Sequence, residues 1–139
     1  AFMEDEDARR IVCGGTTANI VERELCLKCE IDKTSFDEKI PMSSIMEGVD
    51  LVTEGILTLT EVYRMLKEGI DTEKQNAAVR LTKLLLGSDK IDFVVGTKIN
   101  IAHQDPNLPM ELEIRRNIVK KIFRILQDRY LKEISVRYI

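Results

Sequence analysis

The chain runs from Ile11-Val12-Cys13 through Gly14-Gly15 into Thr16-Thr17. The apolar residues favour a short buried strand, the two glycines favour a turn, and the residues that follow have the apolar spacing of a helix. We expect Thr16 or Thr17 to cap that helix. The first N–H groups of a helix have no partner within it, so this turn suits an anion or a phosphate group.

Two later segments repeat this pattern of a strand followed by glycine. The expected strand Val49–Thr53 is followed by Glu54-Gly55, and the expected strand Ile91–Val95 by Gly96-Thr97. Ligands of open α/β sheets bind beyond the carboxyl ends of the strands. We therefore expect the three turns to line one edge of a sheet and to form one binding site.

The remaining patterns predict strands that alternate with helices. The interval 35–47, with Pro41, is expected to be a loop. Such alternation predicts an α/β fold, a three-layer sandwich with a mostly parallel sheet of about five strands and helices on both faces. Further strands are expected at 29–34 and 133–139, and helices from Thr58 (a capping box with Glu61), from about Asp71 or Thr72, and over 110–130.

Length and charge restrict the class of protein. The 139 residues suit one domain, expected over 11–139, with 1–10 as a linker or helix end from an upstream region. The net charge of −3 gives no basic field for nucleic acid. No apolar run approaches the ~18 residues of a membrane span. Three cysteines give no disulfide framework, and a reducing cytoplasm is the simplest location.

The three turns supply glycine N–H groups and threonine hydroxyls, which bond phosphate oxygens. The sequence has neither Gly-x-Gly-x-x-Gly nor Gly-x-x-x-x-Gly-Lys-Ser/Thr, so a standard dinucleotide or P-loop site is not expected. No metal ligand is assigned. The candidate ligand-binding residues are Cys13, Gly14, Gly15, Thr16, Thr17, Thr53, Glu54, Gly55, Gly96, Thr97 and His103.

Several of these residues have a second interpretation. Cys13, beside a helix N-terminus, is a thiol whose pKa could be lowered, or a small residue packed at a strand end. Glu54 is a general base, a metal ligand or a helix-dipole partner. His103 lies near Asp105 on the long loop 97–108, where the pair supplies acid–base chemistry and the loop forms a lid. In the other interpretation, Asp105 and Asn107 only shape the turn before Pro109, and His103 is exposed or locally bonded.

Two other features have weaker functional interpretations. Cys26 and Cys29 have the spacing of a metal or redox pair, but a structural zinc site needs about four ligands. The helix at 110–130 has a basic face, either solvated or a docking surface for an acidic partner. This face carries Arg115, Arg116, Lys120, Lys121 and Arg124.

Three segments together resemble one protein family. The segments Cys13–Val21, Glu47–Gly55 and Ala102–Pro109 are similar to the region downstream of the catalytic domain in bacterial stage II sporulation protein E-type phosphatases, of the protein phosphatase 2C class. The resemblance implies hydrolysis of phosphoserine and phosphothreonine with Mn²⁺ or Mg²⁺ in the parent's catalytic domain. This chain has no Asp-Gly pair, so no catalytic or metal residue transfers to it and no cofactor is expected here.

The resulting expectation is an accessory or regulatory domain that binds a small anionic or phosphorylated ligand. Its partner would be its own upstream phosphatase domain, and a homodimer is compatible with the sequence. One alternative is a small enzyme that uses Cys13, His103 and Glu54. Another is a dimerisation or docking module without a ligand.

Overall fold

The computed structural model describes residues 8–70, 73–95 and 108–138. Within these ranges the chain has an α/β fold with four helices and two sheets. The helices are α1 (Gly15–Glu24), α2 (Ile56–Glu68), α3 (Ala77–Leu86) and α4 (Leu108–Asp128). The strands are β1 (Ile11–Cys13), β2 (Cys29–Ile31), β3 (Ser44–Met46), β4 (Val49–Thr53), β5 (Lys90–Val95) and β6 (Glu133–Tyr138).

The sheets differ from the expected mostly parallel sheet of about five strands. The larger sheet has four strands in the order β1-β4-β3-β2, and only the β1–β4 pair is parallel. The strands β5 and β6 form a separate parallel pair. The expectation of one mostly parallel sheet is therefore wrong, although the α/β class is correct.

The unexpected strand β3 explains the mixed sheet. It lies inside the interval 35–47, which was expected to be a loop, and a connection of only Glu47 and Gly48 joins it to β4. Gly48 adopts a φ of 79°, which suits a tight turn. Because so short a connection reverses the chain, β3 must run antiparallel to β4.

Two hydrophobic clusters lie on opposite faces of the four-stranded sheet. Consecutive residues of a strand point to opposite faces, and here Val52 belongs to one cluster and Leu51 to the other. The Val52 cluster includes Ala18 of α1. The Leu51 cluster contains buried side chains of α2, α3 and α4, including Leu66 and Leu126. Helices therefore cover both faces of this sheet.

The start of α3 also differs from the expectation. The helix begins at Ala77 rather than near residue 71 or 72. The Asn76 side chain caps it, because its Oδ1 accepts a hydrogen bond of 2.9 Å from the Val79 N–H. The same side chain donates to Asp37 at 3.0 Å, so the cap also ties α3 to the loop before β3.

The end of α4 is joined to the end of α2. The Tyr130 hydroxyl donates to the Leu66 carbonyl at 2.7 Å, and Arg129 donates to the Lys67 carbonyl at 2.6 Å. These bonds satisfy carbonyls of the last turn of α2, which have no partner within the helix. On the basic face of α4, Arg115 is partly buried, while Arg116, Lys120, Lys121 and Arg124 are exposed.

None of the helices within the described ranges combines the length and the apolar character that crossing a bilayer requires.

Candidate functional site

The turns that follow β1 and β4 lie against each other. Cys13 pairs with Thr53 in the parallel register, and the Gly14 N–H donates to the Thr53 carbonyl at 2.8 Å. A Cβ atom on Gly55 would lie 3.7 Å from the Gly14 Cα. The parallel pairing thus brings two of the three expected turns to one sheet edge. The third expected turn follows β5, which belongs to the separate two-stranded sheet, so the expectation that all three turns line one edge of one sheet is wrong.

Each of these turns leads directly into a helix. Gly14 is the N-cap of α1 and Gly55 is the N-cap of α2, and neither helix has a hydrogen bond from an N-cap side chain. The expected threonine cap of α1 is therefore wrong, because the helix begins at Gly15. The expected capping box of Thr58 and Glu61 is also wrong, because α2 begins at Ile56. Two helix N-termini, whose first N–H groups lack partners within the helix, meet at this edge.

Buried side-chain oxygens without a hydrogen-bond partner occur near this edge within the described ranges. The threonines Thr53 and Thr58 are 3% and 0% exposed. Ser43 is buried and directly precedes Ser44, which pairs with Val52, so Ser43 lies beside Thr53. Three oxygens have no hydrogen-bond partner among the described residues, and they are Ser43 Oγ, Glu54 Oε2 and Thr58 Oγ1. The Thr53 hydroxyl, by contrast, interacts with the Cys13 thiol of the neighbouring strand. We refer to the three oxygens as the unpaired oxygens.

Thr58 is fully buried near the start of α2. It lies in the first turn of α2, and the Cα–Cβ bonds of a helix tilt towards its N-terminus. Thr82 is an instructive contrast, since it is equally buried in α3 but donates to the Ala78 carbonyl at 2.8 Å. An unsatisfied buried hydroxyl costs about 1–3 kcal/mol. Such a cost at Thr58 points to a hydrogen-bond partner that the described residues do not supply.

Glu54 brings a negative charge to the same edge. Its Oε2 is buried without a hydrogen-bond partner in the described part of the chain. A buried carboxylate oxygen is costly unless it is paired with a donor. Glu54 is therefore suited to accept a hydrogen bond from a ligand, in addition to any role as a helix-dipole partner.

The structure corrects the expectation for Cys13. Burial raises the pKa of its thiol above the ordinary 9.0, the Glu54 carboxylate raises it further, and the Thr53 hydroxyl only partly opposes the rise. Cys13 is accordingly a neutral thiol at neutral pH rather than an activated thiolate. Because the thiolate is the nucleophile in cysteine chemistry, this environment disfavours a catalytic Cys13.

The other expected site residues fall into two groups. Gly15 and Thr16 contribute the first backbone positions of α1, and the Thr17 side chain is exposed in the same turn. Gly96, Thr97 and His103 lie outside the described residues. The ligand contacts expected of Gly96 and Thr97 and the lid expected of the His103 loop therefore remain predictions.

The two segments that form the turns and the helix starts contribute no basic side chain. Neither 13–22 nor 53–63 includes a lysine or an arginine, so a bound anion would interact there with backbone N–H groups and hydroxyls. No group of three or more His, Cys, Asp or Glu side chains in the described ranges is placed to hold a metal ion. Cys26 is exposed, whereas Cys29 packs against the cluster on the α1 side of the sheet.

Sequence reasoning missed Ser43 and Thr58 as site residues. Thr58 looked like a helix cap because Glu61 follows it three residues later. Gly55 was the available signal, because a glycine N-cap would place Thr58 inside the first turn of the helix. No sequence signal marked Ser43, since its position beside Thr53 depends on the unexpected strand β3.

Comparisons of the chain with family models, with curated proteins and with solved structures found no match.

Proposed function

We propose that this chain is a non-catalytic module that binds a small anionic or phosphorylated ligand where α1 and α2 begin. The observation that carries the proposal is the group of unpaired oxygens, of Ser43, Glu54 and Thr58, at the edge where α1 and α2 begin. Native proteins leave few buried polar groups unsatisfied, and each such group calls for an explanation. A ligand that accepts hydrogen bonds from the helix N–H groups and also bonds the hydroxyls would explain why these groups lack partners.

The resemblance of three segments to the region downstream of a sporulation-type phosphatase domain supports a regulatory role. In this proposal the module is attached to a serine/threonine protein phosphatase, and ligand binding biases the neighbouring catalytic domain. The absence of an Asp-Gly pair from the sequence agrees with the catalytic aspartates being in the parent's catalytic domain. The raised pKa of Cys13 favours this module over the alternative of a small cysteine enzyme.

Thermal unfolding with inorganic phosphate and with small phosphorylated metabolites tests the binding proposal. A ligand at a hundred times its Kd stabilises the folded state by about 2.7 kcal/mol, which raises the Tm measurably. Because the two segments that form the turns and the helix starts contribute no basic side chain, the titrations should extend into the millimolar range. Absence of any shift across the set would contradict the proposal.

Two matched variants locate the binding site. Thr58→Val removes an unpaired hydroxyl at the site, and Thr82→Val removes a paired hydroxyl that is equally buried in another helix. We expect Thr58→Val to weaken phosphate binding and Thr82→Val to leave it unchanged. Equal affinities for the two variants would place the ligand elsewhere.

A docking or dimerisation module is the second candidate, and one observation favours it. Ile31, Phe36 and Ile45 are 63%, 70% and 59% exposed, and they lie on or near the edge strand β2. An exposed apolar edge strand is a template for pairing with another chain. Light scattering after size exclusion tests this candidate, which requires a dimer in the wild type that Ile31→Lys converts to a monomer.

A further inference from the structure

The site contains a carboxylate as well as groups that attract an anion, and this combination restricts the ligand. We propose that the ligand is a small zwitterion, with a phosphate or carboxylate group at one end and an ammonium group at the other. This inference rests on the proposed binding function and names the chemical class that the site selects.

The anionic group of the ligand would bind at the N-termini of α1 and α2. α1 begins after Gly14 and α2 begins after Gly55, and the two glycines are close enough for a Gly55 Cβ to contact the Gly14 Cα. The first N–H groups of both helices carry partial positive charge and have no acceptor within their own helix. The Thr58 hydroxyl, which is buried without a partner among the described residues in the first turn of α2, adds a group that can donate to an anion.

The ammonium group of the ligand would bind the Glu54 carboxylate. An ionised carboxylate accepts hydrogen bonds and donates none, so Glu54 Oε2 cannot pair with a phosphate oxygen. That oxygen is buried without a partner among the described residues, and its own segment, 53–63, contributes no lysine or arginine. Glu54 would repel a simple anion such as inorganic phosphate, whereas an ammonium group on the ligand would satisfy it. Hydrogen bonds to ionised partners are stronger than those between neutral groups.

Calorimetric titration with three probes that share a phosphate ester tests this assignment. Phosphoethanolamine carries the ammonium group, glycerol 3-phosphate carries hydroxyl groups, and methyl phosphate carries neither. We expect wild-type chain to bind phosphoethanolamine about tenfold or more tightly than methyl phosphate. Equal affinity for glycerol 3-phosphate and phosphoethanolamine would overturn the ammonium assignment.

A matched pair of glutamate variants tests whether Glu54 causes the preference for phosphoethanolamine. Glu54 follows β4, whereas Glu47 is an exposed residue in the turn at the opposite end of the same strand. Glu54→Gln should remove the preference for phosphoethanolamine and should bind methyl phosphate at least as well as the wild type. Glu47→Gln makes the same charge change and should keep the wild-type preference.

The outcomes separate this inference from the proposed function. If all three probes bind wild type with similar affinity, the zwitterion assignment fails while anion binding stands. If neither these probes nor inorganic phosphate binds, the proposed function itself fails. Should Glu54→Gln not fold, the wild-type comparison of phosphoethanolamine with methyl phosphate still decides the assignment.

Discussion

Gly14 donates its backbone N–H to the carbonyl of Thr53 over 2.8 Å, and this bond holds the end of β1 against the end of β4. It extends the parallel ladder one residue beyond the last strand pair, Cys13 with Thr53. Because each strand is followed at once by a helix, the bond also fixes the distance between the N-termini of α1 and α2. The candidate site thus depends on a contact between residues 39 positions apart in the chain.

The buried hydroxyl of Thr58 should lower the stability of the unliganded protein. Replacing Thr58 by valine removes an unsatisfied group of nearly the same shape, so we expect the free energy of unfolding to rise by about 1 kcal/mol. Thr82→Val, which breaks a hydrogen bond to Ala78, should instead lower it by about 0.5–1.5 kcal/mol. Urea denaturation of both variants measures the difference, and a loss of stability in Thr58→Val would show that its hydroxyl is satisfied.

A side chain at Gly14 should destabilise the protein by straining the backbone, although there is space for the side chain. Its φ of 109° lies in a region that L-residues rarely adopt, while an added Cβ would meet no atom within 4 Å. Gly14→Ala should therefore cost about 1–2 kcal/mol through backbone strain alone. Gly14→Ser should cost a similar amount in thermal unfolding; a much larger loss for serine would indicate a steric cause.

The Cys13 thiol should be slow to react and should make stability sensitive to high pH. Its pKa is raised above the ordinary 9.0 by burial, so the unfolded chain loses this proton at a lower pH than the folded chain. The resulting stabilisation is complete below pH 9 and is lost as the pH rises through the folded value. Cys13→Ala should remove the part of the stability loss at high pH that the Cys13 thiol causes.

Alkylation followed by mass spectrometry should label exposed Cys26 before Cys13. The reverse order would contradict the environment assigned to Cys13.

Two aspartates should make the fold sensitive to acid. Hydrogen bonding from the Arg10 N–H, at 2.7 Å, lowers the pKa of Asp50 below 3.8, and the Asn76 side chain does the same for Asp37. Carboxyl groups with lowered pKa values stabilise the folded state fully above the ordinary value. This stabilisation is lost as the pH falls through the lower folded value.

Denaturation curves collected between neutral pH and pH 3 test whether stability falls with pH as expected. Asp50→Asn and Asp37→Asn should each lose stability at neutral pH and should show a smaller further loss in acid than the wild type. Glu47→Gln is a suitable control, because Glu47 is exposed and its side chain forms no hydrogen bond or ion pair with a residue that the structure describes. An unchanged acid dependence in both aspartate variants would contradict the role assigned to these bonds.

Local patterns predicted most of the elements. The apolar runs Ile11–Cys13 and Val49–Thr53 correspond to β1 and β4, and the spacing of apolar residues predicted α2 and α4 within a few residues. The strand β3 escaped prediction because it is only three residues long and begins with serine, a residue without strong strand preference. Its pairing with β2 and β4, rather than its own composition, makes it a strand.

The sequence by itself determined the two glycine turns, the helices that follow them and the polar residues around them, because these depend on near neighbours in the chain. Only the tertiary structure decided that Ser43 lies beside Thr53, that the Thr58 hydroxyl is buried without a partner, and that Cys13 has a raised rather than a lowered pKa. Burial and hydrogen bonding depend on what packs around a residue from distant parts of the chain. They therefore appear only when the sheet and the helices have come together.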